Sequence, residues 1–335
     1  MNEVRAPITY QAPESPLAVS VRSEGSQIFA GPGPRFTMEF AVENGRLRLV
    51  RDHQGPERER IHLHVMEFVF GHEPCLQSLD CTDLQAPFHD AFSHRFFQNR
   101  EGRLMLDREV FFQLPVLWHR RQQETFAPER WIMTHERAHP QRDFVEHGVL
   151  YRRYVPTMGQ TLSFELLDRQ QHLDIFHEWH HQPRVAMFWE MAHPKEQLDD
   201  YLSKMEQDPH QRPIMALLDG HPVGYFEVYW TPEDRLGPYY DHDPFDRGFH
   251  FLIGDVSVLG GRATPELIQS MVHFIFLDDA RTRRVMGEPR SDNAKLLRYV
   301  ESLPGWVNLR EFDFPHKRAA LLQNRREDFF RGGSL

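Results

Sequence analysis

Cysteine is scarce in this chain: 335 residues contain only Cys75 and Cys81. Two cysteines at this spacing provide neither a zinc-site pattern nor the disulfide density of a small secreted scaffold. The first twenty residues lack the basic, apolar and small-residue regions of a signal peptide. No stretch approaches the roughly 18 consecutive apolar residues of a membrane-spanning helix. We therefore expect a cytoplasmic protein that does not enter a membrane.

Positive charge is also in short supply. Lys and Arg number 39 against 49 Asp and Glu, and the formal net charge is -10. A protein that follows a phosphate backbone needs a basic stripe on its surface. The charge balance therefore argues against nucleic acid as a partner.

Histidine, in contrast, is plentiful, with 21 residues. The segment HEWHH, from His177 to His181, matches the H-E-x-x-H pattern of zinc proteases. Such a site needs both histidines on one face of an uninterrupted helix and a third ligand downstream, whereas Pro183 follows two residues after the second histidine. We therefore expect no metal.

The length of the chain allows two domains, each with its own core. Between Gln27 and Gln113, the runs RLRLVRD, IHLHVMEFVF and REVFFQLPVL alternate with turn signals and predict strands. Residues 119–150 are polar, contain two prolines and show no period, which indicates a connecting segment. We predict a smaller, strand-rich α/β domain at residues 1–148, without a catalytic role, and a second α/β domain at residues 149–335.

The second half shows a clearer succession of elements. It predicts a strand, two helices, three strands, a helix, a strand, a helix and two strands. The corresponding segments are TLSFELL, the stretch from His172 to His180, PKEQLDDYLSKMEQ, IMALLDG, VGYFEVYW, GFHFLIGDVSVLG, PELIQSMVHFIFLDDA, RRVMGEP, SDNAKLLRYVESL, WVNLREFDF and RAALLQN. This order resembles that of the GNAT acyltransferase superfamily.

Longer segments carry a more specific resemblance. They are LYRRYVPTMGQTLSFELLD, PRVAMFWE, VGYFEVYWTPEDRLGPYYDHDPFDRGFHFLIGD, RTRRVMGEPRSDNAKLLR and EFDFPHKRAALL. Across residues 149–330 the chain is similar to the siderophore-biosynthesis acetyltransferases, the family of the aerobactin N6-hydroxylysine acetyltransferase. The resemblance implies transfer of an acyl group from coenzyme A to a hydroxylated nitrogen, which forms a hydroxamate. The donor, acetyl-CoA or succinyl-CoA, and the acceptor, N6-hydroxylysine, N-hydroxycadaverine or N-hydroxyputrescine, stay open.

The same resemblance implies a catalytic His and Asp, which match His250 in RGFH and Asp292 in EPRSDN. An imidazole titrates near neutral pH, so His250 is our candidate for the general base. Asp292 would orient His250 or hold the substrate hydroxylamine, and it could also cap the helix that SDN opens.

Coenzyme A is expected along the strand that follows His250 and at the next helix. A Gly-rich turn at a helix N-terminus offers N–H groups to the pyrophosphate. The candidates in this turn are Gly260, Gly261, Arg262 and Ala263. The turn departs from the usual Arg/Gln-x-x-Gly-x-Gly/Ala pattern of the superfamily. We further assign Ile253, Asp255 and Val256, whose backbone region would stabilise the oxyanion, and Asn293.

Acceptor-binding candidates come from several segments. Glu227 could receive an amine, and Arg247 or Arg290 could pair with a carboxylate. The other candidates are Trp189, Glu190 and Tyr240, and the loop with Tyr239 and Tyr240 could form part of a lid over the substrate. Two functions compete with siderophore acylation: a non-catalytic GNAT-like module that binds acyl-CoA, and an acetyltransferase for another amine, such as an aminoglycoside or a protein N-terminus. Homodimer formation is left open.

Overall fold

The computed structural model describes residues 8–11, 19–32, 35–55, 57–84, 96–119, 129–134, 136–143, 148–332 and 335. Among these residues, no helix is long and apolar enough to cross a membrane. The chain divides into two compact units. The first contains residues 1–117, 153–161 and 333–335, and the second contains residues 118–152 and 162–332. The domain border expected after residue 148 stays a prediction.

The first unit is rich in strands, as predicted. Its sheet has the order β1-β2-β3-β4-β5-β6-β8-β7, and all described pairs are antiparallel except β5 with β6. The elements are β1 Ile8–Gln11, β2 Val19–Glu24, β3 Gln27–Pro32, β4 Met38–Glu43, β5 Arg46–Arg51, α1 Arg58–His72, β6 Ser78–Asp83, β7 Gln98–Arg100, β8 Arg103–Asp107 and α2 Arg108–Phe111.

Two strand predictions in this unit are wrong. The run IHLHVMEFVF lies inside α1, where every residue from Ile61 to Phe70 is buried. A helix that is buried on all sides has no polar face, so its hydrophobic period cannot distinguish it from a buried strand. The run REVFFQLPVL begins with the short helix α2 instead of a strand.

The segment between the halves also contains structure that the sequence does not predict. Strands β9 Trp131–Thr134 and β10 Arg137–Pro140 form a two-stranded antiparallel sheet. Strand β9 reads WIMT, with three apolar residues in succession that are all exposed, so the segment does not alternate between apolar and polar residues. Residues 120–128, 135 and 144–147 of the same predicted connection lie outside the described residues.

The second large sheet has the order β11-β12-β13-β14-β15-β16-β18-β17. The succession of elements predicted from TLSFELL onward is confirmed, with two additional short helices, α4 and α8. The elements are β11 Val149–Val155, β12 Gln160–Leu166, α3 Arg169–His181, α4 Pro183–Trp189, α5 Lys195–Glu206, β13 Gln211–Leu218, β14 His221–Trp230, β15 Arg247–Ile253, α6 Ala263–Asp278, β16 Arg284–Gly287, α7 Ala294–Glu301, β17 Trp306–Asp313, β18 Arg318–Arg325 and α8 Arg326–Arg331.

Helices α3 and α5 cover the sheet with an apolar face. Phe176 and Trp179 of α3 and Leu198 and Leu202 of α5 share one core cluster with Tyr225 of β14. These helix positions follow the spacing of one helical face, so burial of apolar area stabilises the contact. This packing sets the position of β14.

Strand β15 is shorter than the apolar run predicts, because it ends at Ile253 instead of continuing to Gly260. The N–H groups of Gly254 and Asp255 both donate to the carbonyl of Val223. The Asp255 side chain then accepts a hydrogen bond from the N–H of Ser257 and opens a 3-10 turn at Val256–Val258. Beyond Asp255, this side-chain hydrogen bond takes the place of the backbone hydrogen bonds between neighbouring strands.

The parallel strands β15 and β16 pair only briefly. Their register contains two pairs, Arg247 with Val285 and Gly248 with Met286, whereas β15 pairs with β14 along its whole length. Because Gly254 donates to Val223, alternation along β15 directs the N–H groups of Phe251 and Ile253 away from β14. Beyond Gly248, the β16 side of β15 therefore borders an opening in the sheet.

Candidate active site

A pocket of about 490 Å³ lies at this opening within the second unit. Glu227 of β14, His250 of β15 and Glu288, which directly follows β16, line it together with both charged and apolar neighbours. The other lining residues that bear on the chemistry are Trp189, Glu190, Tyr201, Asp234, Arg235, Phe249, Phe251, Arg290, Asn293, Leu296, Trp306, His316 and Lys317.

His250 lies between two buried glutamates. Its Nδ1 atom is 3.1 Å from Oε2 of Glu227, and its Nε2 atom is 2.7 Å from Oε1 of Glu288. The imidazole is 25% exposed, whereas the Glu227 and Glu288 side chains are 7% and 1% exposed. Both ring nitrogens therefore face carboxylates, an arrangement that favours the charged imidazolium because it can donate on both sides.

Three tyrosines fix the outer oxygens of these glutamates. Tyr201 and Tyr225 donate to Oε1 of Glu227 over 2.6 and 3.1 Å, and Tyr229 donates to Oε2 of Glu288 over 2.7 Å. Strand pairing places Glu227 directly opposite His250. The orientation of the carboxylates is therefore determined by neighbouring side chains, which limits their movement during a reaction.

Two cations approach Glu288 from the remaining directions. Nη2 of Arg235 lies 3.3 Å from Oε1 of Glu288 and the same distance from Nε2 of His250. Nζ of Lys317 donates to the Glu288 carbonyl over 2.7 Å and lies 3.9 Å from its Oε1. Arg235 is about half exposed. Arg235 also lines the pocket.

The charges shift the pKa values of the central groups strongly. Burial lowers the pKa of His250, but the negative charge of Glu288 and hydrogen bonds to Glu227 and Glu288 outweigh burial and raise it to about 10. Burial raises the pKa of Glu288, yet the charge of His250 and the nearby Lys317 and Arg235 hold it well below its usual range. Burial raises the pKa of Glu227, but the hydrogen bond and charge of His250 and the hydrogen bonds from Tyr201 and Tyr225 together outweigh it and lower this pKa. At neutral pH the site contains an imidazolium and two carboxylates.

Asp292 does not share a hydrogen bond with His250 among the described residues. Its carboxylate instead receives two bonds from Arg290, over 3.0 and 2.8 Å, and is 66% exposed. The next residue, Asn293, caps α7 by accepting from the N–H of Leu296, so the helix cap is not Asp292. The capping role expected of Asp292 is therefore wrong, whereas its roles in orienting His250 or holding the hydroxylamine stay predictions.

Four of the acceptor candidates line the pocket, and the others lie elsewhere. Trp189, Glu190, Glu227 and Arg290 line the pocket. Arg247 is buried and donates to Asp278 over 2.5 Å. Tyr240 bonds Thr231 over 2.7 Å and Asp246 over 3.0 Å, and Tyr239 packs on Phe312 and Phe314.

The candidates for coenzyme A lie around the start of α6, apart from Asn293, which caps α7 and lines the pocket. Arg262 is the N-cap residue, Ala263 begins the helix, and Gly260 has a φ of +72°, in the left-handed region that favours glycine. Gly260 and Gly261 are exposed, and a Cβ atom at either position would have no neighbour within 4 Å. The N–H of Asp255 is already bonded to Val223, whereas that of Ile253 faces the opening.

Several residues of the site escape prediction from the sequence. Glu288 is the most important, and its position directly after the strand RRVMG is a signal that could have singled it out. Arg235, Lys317, Tyr201 and Tyr229 come from four separate elements or loops. Only their convergence in space identifies them.

Comparison with known proteins agrees with this architecture. The sequence family described as the acetyltransferase (GNAT) domain matches residues 168–314. A solved Bacillus halodurans structure has 24% identity and a TM-score of 0.53, covering 57% of this chain and 96% of its own, and supports the fold alone.

Curated relatives share more sequence. A Schizosaccharomyces pombe protein that is named as a lysine N-acyltransferase, although its activity is not established, is 38% identical over 239 residues. The matched residues cover 70% of each chain. The N(6)-hydroxylysine O-acetyltransferase of Escherichia coli is 36% identical over 68% of this chain and 71% of its own. An N(5)-hydroxyornithine:cis-anhydromevalonyl coenzyme A transacylase of Beauveria bassiana is 42% identical over 55% of this chain and 40% of its own.

Proposed function

We propose a specific reaction for this chain, which belongs to the siderophore hydroxylysine and hydroxyornithine acyltransferases of the GNAT superfamily. In this reaction, the enzyme transfers an acetyl group from acetyl-CoA to the hydroxylated nitrogen of N6-hydroxylysine or an N-hydroxy-diamine. Membership makes it an acyl-CoA-dependent acyltransferase. The proposal of this donor and acceptor rests on the Glu227–His250–Glu288 cluster, which lies beside the opening between β15 and β16. Two free cysteines are compatible with the reducing cytoplasm that we propose as its location.

The opening is the proposed path of the acyl-CoA. The pantetheine arm would extend along β15, where the N–H groups of Phe251 and Ile253 face the gap and can bond amide carbonyls or the thioester oxygen. The pyrophosphate would lie at the N-terminus of α6, near Gly260 to Ala263, where the helix dipole and N–H groups favour an anion. The thioester would then lie beside His250.

The charge state of His250 determines its proposed role. An imidazolium whose pKa is about 10 cannot take a proton in the resting site at neutral pH. A neutral hydroxylamine nitrogen can attack the thioester before it loses its proton. We propose that the C–N bond forms first and that a carboxylate beside His250 then accepts the nitrogen proton. As the C–S bond breaks, His250 gives its proton to the coenzyme A thiolate and regains one from that carboxylate, so the protons balance.

The pocket walls favour a polar acceptor. Trp189 and Tyr201 offer aromatic surface, whereas Glu190, Arg290 and Arg235 offer charges of both signs. An amino acid acceptor such as N6-hydroxylysine carries both an ammonium and a carboxylate that could pair with them. A diamine carries only the cationic group. This mixture of charges supports the amino acid more than the diamine.

The test measures thiol release from acetyl-CoA with N6-hydroxylysine, N-hydroxycadaverine or lysine as the acceptor. The product is treated with ferric iron, because a hydroxamate binds ferric iron and an O-acetyl product leaves no hydroxamate. We expect hydroxylamine-dependent thiol release, a coloured ferric complex, and a large loss of both signals in His250→Ala. Arg169→Ala, which removes half-buried ion pairs to Asp199 and Glu206, is the control.

Tight coenzyme A binding without turnover of any hydroxylamine would refute the proposal and favour the non-catalytic module. Succinyl-CoA, tested in parallel, would identify a different donor if its kcat/KM exceeds that of acetyl-CoA.

A further inference from the structure

The β9–β10 hairpin contacts the connection that carries one wall of the pocket. This connection, residues 231–246, links β14 to β15, and the hairpin precedes the GNAT match at residues 168–314. Nη1 of Arg137, the first residue of β10, lies 3.3, 3.0 and 2.5 Å from the carbonyl oxygens of Pro232, Glu233 and Asp234. The guanidinium of Arg137 is thus within hydrogen-bonding distance of three consecutive backbone carbonyl groups at the start of the connection.

Arg142, just after β10, bonds both ends of the same connection. Its Nε and Nη2 atoms donate to the Glu233 carboxylate over 2.5 and 3.0 Å, and Nη2 also donates to the carbonyl of Pro244 over 2.7 Å. The Arg142 and Glu233 side chains are 2% and 6% exposed. The guanidinium also lies 4.1 Å from the ring centroid of Trp230, the last residue of β14. Buried charge-assisted bonds of this kind restrict movement strongly.

His139 of β10 adds a third contact to Glu233. Its Nδ1 atom lies 2.8 Å from Oε1 of the carboxylate, and the imidazole is 5% exposed. Glu233 therefore receives polar contacts from two residues of the hairpin segment. The adjacent residues Asp234 and Arg235 line the pocket.

The geometry has a direct consequence for the acceptor. Arg235 reaches His250 and Glu288, while its backbone directly follows the three carbonyls that Arg137 holds. A shift of this backbone would move the Arg235 guanidinium, and a displacement of about 1 Å can lower a rate about a hundredfold. The hydrogen bonds of Arg137 and Arg142 go to residues 232–234 and 244, and none of them reaches β16 or the start of α6, where the path of the acyl-CoA is proposed.

We propose that the β9–β10 hairpin is a positioning element for the acceptor, in which Arg137 and Arg142 hold residues 231–246 so that Asp234 and Arg235 face the pocket. This inference rests on the proposed function for the identity of the acceptor. It assigns a role in the reaction to a segment outside the matched GNAT domain. Arg137 and Arg142 are positioning residues, since they act through the connection.

The test compares Arg137→Ala, Arg137→Lys and the wild type, with Arg169→Ala as the control. We expect Arg137→Ala to lower kcat/KM for the hydroxylamine acceptor by about tenfold to a hundredfold and to leave the KM for acyl-CoA unchanged. Arg137→Lys should recover part of the loss because an ammonium can still bond carbonyl oxygens. The double variant Arg142→Ala/Glu233→Ala, which leaves neither charge unpaired, should show the same selective loss.

Hydrogen exchange supplies a readout that does not depend on activity. We expect faster exchange in peptides covering residues 231–246 of Arg137→Ala and unchanged exchange in α6. Faster exchange with an unchanged kcat/KM for the acceptor would overturn the inference, and so would an equal loss for both substrates. If the wild type acetylates no hydroxylamine, the proposed function fails. Independently of that result, unchanged hydrogen exchange at residues 231–246 of Arg137→Ala would overturn the positioning role.

Discussion

The Nε2 atom of His250 lies 2.7 Å from Oε1 of Glu288, a carboxylate that is only 1% exposed. Glu227 contacts the other ring nitrogen, so the imidazole is held from both sides. Arg235 and the ring of Tyr229 also face His250. These neighbours therefore raise the pKa of His250 above that of a free histidine. Substitutions at the neighbours should change this pKa and the activity of the site.

Replacing Glu288 by Gln removes the largest attraction that raises the pKa of His250. We expect His250 of the wild type to stay protonated from pH 6 to 8 and to titrate toward pH 10, and its pKa to fall in Glu288→Gln. Histidine NMR titration, with the resonance assigned by the absence of that signal in His250→Ala, measures both values. A wild-type pKa near the ordinary 6.5 would contradict the paired geometry.

The same pairing makes stability depend on pH. The folded-state pKa of His250 is raised above the unfolded value of 6.5, so its contribution is complete below pH 6.5 and disappears as pH rises toward 10. The destabilisation caused by His250→Gln should therefore shrink over this window, by an amount on the order of 3 kcal/mol. Urea unfolding of both proteins at pH 6 and pH 10 provides the comparison. A constant difference would show that the raised pKa does not exist.

Gly248→Ala should disturb the site through Tyr229. A Cβ atom at Gly248 would lie 2.5 Å from the ring and hydroxyl of Tyr229, which donates to Glu288. We expect a loss of about 1–3 kcal/mol in the free energy of unfolding, because the buried ring must move, together with reduced turnover. Thermal unfolding and steady-state kinetics measure the two effects. For stability, the control is Gly261→Ala, where a Cβ meets open space.

Gly261→Asp tests the proposed pyrophosphate site at the start of α6. The position has room for a side chain, and a carboxylate there would repel the diphosphate and oppose the attraction of the helix terminus. We expect the Kd for coenzyme A to rise at least about tenfold, which corresponds to 1.4 kcal/mol. Turnover of an acetyl-pantetheine donor, which lacks the diphosphate, should change little. Equal effects on both donors would place the diphosphate elsewhere.

Arg247→Met separates a structural role from substrate binding. Arg247, Arg212 and His119 all donate to the buried Asp278 carboxylate. Loss of one donor should destabilise the fold by about 3 kcal/mol, while the KM for the acceptor stays unchanged below the unfolding temperature. Chemical unfolding and steady-state kinetics provide the two measurements. A raised KM with unchanged stability would restore Arg247 to the acceptor site that its sequence position suggests.

Much of the C-terminal fold can be predicted because its signals are local. Pro194 marks a helix start, and the hairpin between β13 and β14 turns at Asp219 and Gly220, which both have positive φ. Helix α1 is not predictable in this way, because its burial on all sides removes the polar face that distinguishes a helix. The β9–β10 hairpin is also missed, since Arg137 and Arg142 hold the adjoining connection through contacts about a hundred residues away.

The sequence by itself determined the family, the order of elements in the second half, and the strand that carries His250, because these depend on residue patterns along the chain. Only the tertiary structure decided which groups surround that histidine. Glu288 lies 38 residues beyond His250 and Glu227 lies 23 residues before it. Antiparallel pairing of β14 with β15 and the parallel start of β16 bring the three together. Burial and mutual charge then set the protonation state of His250, and neither can be read from spacing along the chain.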